Sequence, residues 1–190
     1  DARTSDLDLM NKDVQAKSDS LSNAKQAKEK AQSEYNQAKQ ELDQATQDVK
    51  QKEEVTNQRE KDFNQAKAKA DSLNQASLSD PRLKQDALNA LNDAKVKLDE
   101  LNQSINDLNT SKSNFAQSEA SLNSKWNDLK TKEAVELKNQ IDYDSSLRQS
   151  NLVYQELSLK ADQSISNIKD STKGYYDTKV KESGNAKNTF

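Results

Sequence analysis

Cysteine and histidine are absent from the 190 residues, proline occurs once, at Pro81, and glycine twice, at Gly174 and Gly184. Without cysteine and histidine there are no thiolate zinc sites, no Cys or Ser–His nucleophilic machinery and no disulfide staples. No apolar run approaches the roughly 18 residues of a membrane span, so membrane insertion is not expected. The 29 Lys and Arg residues are intermixed with 32 Asp and Glu. No basic stripe tracks a phosphate backbone, and nucleic acid is not an expected partner. The opening stretch DARTSDLDLM lacks a basic region followed by an apolar one. No signal peptide is therefore read there, although the mature form of a processed precursor would look the same. Zero cysteine fits any compartment and is slightly more expected in an exported protein of a Gram-positive bacterium. Carboxylates are plentiful, as in KEE at 52–54 and Asp6 with Asp8. With no histidine, pocket or strained loop beside them, they read as a solvated helix face rather than a catalytic or metal pair. The expectation is a protein that is not an enzyme and takes no cofactor.

What is present is a narrow apolar stripe in a polar chain. Hydrophobic residues make up 31% and charged residues 32%, a balance that suits either disorder or a long helix burying one seam. Periodicity decides between them. Stepping three and four residues alternately from Leu7 to Ser77 reaches 21 positions, of which 15 are apolar, against six of the other 50. That phase holds over ten repeats, as in a coiled coil. Disorder would not keep it.

After the proline, Ala87, Leu91, Ala94, Leu98, Leu101, Ile105, Leu108, Phe115, Leu122, Trp126 and Leu129 fall on one such spacing, interrupted by Lys112 and Glu119. The phase returns at Leu147, Tyr154, Leu157, Ala161, Ile168 and Tyr175, after a weak or distorted stretch near 130–145. Between the two periodic segments stands SLSDP (77–81). Asp80 is a good N-cap, and Pro81 at the first helical position has no N–H to leave unsatisfied. Proline also disfavours helix at the preceding residue. A corner this short favours an antiparallel neighbour.

The predicted fold is all-α, a long antiparallel helical hairpin cornered at about 77–81. It forms one elongated coiled-coil domain over 1–190, with helix 1 at about 5–78, a longer helix 2 at about 81–170 and a tail at 171–190. At about 1.5 Å per residue the first helix would be roughly 100 Å long. Pairing residues whose numbers sum to 160 or 161 sets Phe63 by Leu98, Thr56 by Ile105, Tyr35 by Trp126, Val14 by Leu147 and Leu7 by Tyr154. It also sets small Ala45, Ala38 and Ala31 by Phe115, Leu122 and Leu129, and Lys28 by Glu133. Large against small is how a close-packed seam is filled. Two layers fit badly, Leu42 with Glu119 and Val49 with Lys112. A parallel homodimer fits worse, because Lys17, Lys28, Lys52, Arg59, Lys112 and Glu119 would each face their own copy. Trp126 reads as core, and Lys52, Thr56 and Arg59 as a polar, register-setting part of the seam.

The second helix outruns the first. Leu157, Ala161, Ile165 and Ile168 form an apolar stripe whose register partners fall at or before the first residues. Left in water it forfeits roughly 25 cal/mol per Å², so the segment is expected to self-associate, to fold back or to pair with upstream sequence. In STKGYYDTKVK (171–181), Tyr175 continues the phase beside Tyr176, suiting either a packed end or a partner anchor. The candidate protein-binding residues are Leu157, Ile165, Ile168, Tyr175 and Tyr176; no catalytic, cofactor or metal residue is read.

Segments NAKQAKEKAQSEYNQAKQELDQA (23–45) and FNQAKAKADSLNQA (63–76) resemble the alanine- and lysine-rich coiled-coil stalks of Gram-positive surface proteins. The pneumococcal surface protein A and streptococcal M-like families are the comparisons. The likeness spans both helices and is one of style. An LPxTG-type sorting motif, choline-binding repeats and a proline-rich wall region do not occur in these residues. The resemblance implies an extracellular rod that displays another domain or binds a host protein, and no binding residue is carried over from it. The alternative is an intracellular coiled-coil arm linking globular domains of an ATPase or cytoskeletal protein. Abundant Asn, Gln and Ser on the outer faces tilts the reading toward the surface stalk.

Overall fold

The computed structural model describes residues 2–188. Helix α1 (Ala2–Ser77) is followed by a turn, one 3-10 turn (Pro81–Leu83) and helix α2 (Lys84–Asn188). The two helices pack against each other as a helical hairpin, the second longer than the first. Both are rich in residues of mediocre helix propensity, and local side-chain bonds compensate. Gln15, Gln32, Gln58 and Gln85 each donate to an Asp or Asn four residues on, while Thr46, Thr110 and Thr131 donate to carbonyls four residues back. The Gln pairs add a few tenths of a kcal/mol each to an exposed helix, whereas the Thr bonds only give each hydroxyl an acceptor in its own helix.

The corner forms as its residues dictate. The last turn of α1 closes through Leu78 N–H to Gln75 O at 3.3 Å and Asp80 N–H to Ala76 O at 3.0 Å. Asp80 is extended (φ −130°, ψ 98°), and its carboxylate accepts from the Arg82 backbone N–H at 3.1 Å. The Arg82 guanidinium grips the same carboxylate at 3.0 and 3.1 Å. No described residue has a positive φ, so this turn needs no glycine.

The Arg82 guanidinium and backbone N–H hold Asp80 below its ordinary value of 3.8. A carboxylate depressed in this way contributes its stability fully above that ordinary value and loses it as the pH falls through the lower folded-state value. Asp80→Asn should therefore melt below the parent near neutral pH, and the gap should close in acid. Thermal melts of both proteins across pH 2–7 test this, and a gap independent of pH would refute it.

Contacts divide the hairpin into a unit holding the corner, residues 29–131, and a unit holding residues up to 28 with those from 132 onward. In the corner unit, α1 buries the expected rows: Ala31, Ala38, Ala66 and Ala70 are core, with Tyr35, Leu42, Val49 and Phe63 half-buried. In α2 one expected row is right (Ala87, Ala94, Leu101, Leu108, Phe115, Leu122, Leu129) and the other is displaced by one residue. Ala90, Ser104 and Ser111 are buried, whereas Leu91, Leu98, Ile105 and Trp126 are 38–45% exposed. Those four bulky side chains, expected on the seam from their spacing, lie beside it instead.

The physical reason is fit. Ala66 and Ala70 meet Ala90 and Ala94 in one cluster with Leu73 beside it, and small side chains on both helices let the backbones approach. Buried hydroxyls are tolerated because α1 supplies acceptors: Ser111 Oγ donates to Asp48 Oδ2. The two awkward layers thereby disappear, because Ser111 and Ser118 turn inward and Lys112 and Glu119 point out. The pairing register itself stands. The Tyr35 and Trp126 rings meet in a tilted contact, centroids 5.5 Å apart and planes at 48°, although Trp126 lies at the rim rather than in the core. Thr56 Oγ1 donates to Ser104 O at 3.3 Å and Arg59 pairs with Glu100 at 2.7 Å, giving the polar part of the seam its partners.

The other unit follows the same rule. Ser146, Ser150 and Val153 are buried, and the expected Leu147 and Tyr154 are exposed. Ser146 donates to Asp13 at 2.6 Å and Ser150 to Asn11 at 2.8 Å. The stretch near 130–145 is undistorted helix. From 132 its seam is polar, with Lys132, Glu136 and Asn139 half-buried, and Lys28 pairs with Glu136 at 3.0 Å. Helix α2 does not stop near 170 but runs on through Asn188, so the expected 171–190 tail is helical as far as it is described; its last two residues lie outside the described residues. Gly174 and Gly184 each cost only about 1 kcal/mol there, and no proline stands between residues 84 and 188 to end the helix.

Candidate protein-binding surface

Beyond its contact with α1, α2 continues in one direction without folding back, and every residue from 161 to 181 is exposed. The five candidate residues fall into three groups. Ile165, Ile168 and Tyr175 are 51%, 65% and 67% exposed. With Tyr154 and Ala161 they recur at three- and four-residue steps and so share one face of the helix. Leu157 is half-buried, on the row that elsewhere meets α1. Tyr176 is exposed one residue round from the stripe. The Lys179 ammonium lies 5.6 Å from the centroid of the Tyr175 ring.

This face is offset from the α1/α2 seam. The rows that pack on α1 continue past Leu157 as Lys160, Ser164, Asn167, Ser171, Gly174 and Thr178. The apolar face lies roughly 100° round the helix from them. The overhanging stripe is therefore not the prolongation of the seam that its spacing in the sequence suggests. A helix extending α1 in the same phase would meet the polar row and leave Ile165, Ile168 and Tyr175 uncovered.

At the corner, Leu78, Leu88 and Leu91 border an open groove of about 470 Å³ floored by Ala70, Ser77 and Ala87. Leu78 and Leu88 lie off the heptad phase, so periodicity alone does not mark them. Among the described residues no three acidic side chains gather as a cation site, no buried side-chain polar atom lacks a partner, and no helix is long and apolar enough to cross a membrane. The chemistry on offer is apolar and aromatic contact with charged residues alongside, which suits protein recognition.

The sequence matches no protein-family model, and no curated protein or solved structure matches it.

Proposed function

We propose that this chain is a non-enzymatic structural or adhesive stalk element of an exported bacterial surface protein, a helical hairpin that presents or forms a protein-binding rod. The observation that carries the reading is the exposed face of Ile165, Ile168 and Tyr175, which recurs at helical spacing beyond the contact with α1. Exposed apolar residues rimmed by polar ones mark sites of protein contact. The outer faces support it as well. Their Gln and Thr side chains are bonded within their own helices, which adds uncharged polar surface between the charged residues. The alanine- and lysine-rich repeats, similar in style to Gram-positive stalks, supply the cell-surface location. The partner is a protein, either of a host or a second copy of this chain.

Location is the deciding experiment. Protease added to intact cells of the source organism should remove the hairpin before any cytoplasmic marker is lost. Protection until lysis would overturn the surface reading and leave the intracellular arm.

A further inference from the structure

We propose that the exposed stripe pairs with the same stripe of a second copy, antiparallel, about a twofold axis at Ile165. Stepping four and three residues along the face gives Tyr154, Ser158, Ala161, Ile165, Ile168, Thr172 and Tyr175, about three heptads of one helix. A twofold contact sets each position against one whose number completes a fixed sum. With sums of 329 and 330, Ile165 meets itself at the axis, Ala161 meets Ile168 of the second copy, Ser158 meets Thr172, and Tyr154 meets Tyr175. Large faces small beside the axis, and no charge enters these layers.

The flanks choose this register. Asp162 and Lys169 border the stripe two turns apart, and neither has an ion-pair partner among the described residues. In the proposed pairing Asp162 faces Lys169 of the second copy, and Lys169 faces its Asp162. Sliding one heptad in either direction sets Asp162 against Asp162 or Lys169 against Lys169. A parallel pairing places uncharged Leu157 and Ser164 opposite them and sets Lys179 against Lys179 in the seam. The opposite flank carries Leu157, Ser164 and Ser171, which introduce no repulsion. The stripe lies roughly 100° round α2 from the seam with α1, so the hairpin need not rearrange. The pairing does not depend on cellular location, and its failure would leave the surface reading intact.

Sedimentation equilibrium of the full chain tests the pairing. The parent should approach twice 21.3 kDa at micromolar concentration. Asp162→Lys and Lys169→Asp should each raise the dissociation constant roughly tenfold, because each replaces two attractions by two repulsions. The double reversal should restore the parent value, with helicity unchanged throughout. Cysteine cross-linking in this cysteine-free chain reads the orientation. A mixture of Ala161→Cys and Ile168→Cys variants should form the mixed disulfide. A monomer at about 100 μM, dissociation constants indifferent to the single reversals, a double reversal no tighter than either single, or Ala161→Cys linking chiefly to itself would each overturn the proposal.

Discussion

Leu129→Ala is expected to cost about 2–5 kcal/mol of hairpin stability, the range for deleting a fully buried leucine side chain. Leu129 is 2% exposed, and Ala31, its partner in the pairing register, is 3% exposed. Little around such a residue can collapse to fill the space. Leu98→Ala, at 38% exposure, should cost about 1 kcal/mol or less. Both leucines sit on the three-and-four spacing in the sequence, so heptad phase alone predicts comparable losses. Chemical denaturation of the two variants and the parent measures the difference. Equal losses would mean that α2 turns its bulky row, not its small one, toward α1.

Enlarging the small row should be the complementary injury. Ser111→Leu is expected to destabilise by about 1–3 kcal/mol, because the added methylenes must enter a filled seam. The change also leaves Asp48 without the Ser111 hydroxyl. The neighbouring Lys112→Leu, on an exposed position, should stay within about 0.5 kcal/mol of the parent. On heptad phase alone the order is reversed, since Lys112 is the poorly fitting member of a layer with Val49 and leucine would improve it. Thermal midpoints of the two variants separate the alternatives. A Ser111→Leu protein at least as stable as the parent would contradict the observed packing.

The uneven success of the sequence reading has a local cause in each helix. In α1 most seam positions are apolar and most outer positions are polar, so one pattern fits, and the structure buries or half-buries every position on it from Leu7 to Ser77. At the corner, Asp80 and Pro81 act through their own backbone chemistry, which needs no distant partner, and their roles were legible from five residues. Helix α2 carries three competing rows. Ala87 through Leu129 is apolar and was placed correctly. Leu91, Leu98, Ile105 and Trp126 are apolar and large, whereas Ala90, Ser104 and Ser111 are small and partly polar. A pattern weighted by hydrophobicity selects the large row. The small one needs the partner helix to justify it.

The candidate surface divided along the same line. That Ile165, Ile168 and Tyr175 lack a partner in α1 followed from counting residues on either side of Pro81. That they lie off the seam did not, because their direction depends on which row of α2 meets α1.

The sequence by itself determined two helices, the place and chemistry of the turn, the pairing register and the longer second helix, because each follows from period, capping and chain length. Only the tertiary structure decided the roll of α2 about its axis. Ala66 and Ala70 of α1 meet Ala90 and Ala94 in one close-packed cluster, and Asp13, Asp48 and Asn11 of α1 give buried serine hydroxyls their acceptors. Steric fit and hydrogen-bond satisfaction between residues more than 60 apart in the chain thus outweighed local hydrophobic pattern.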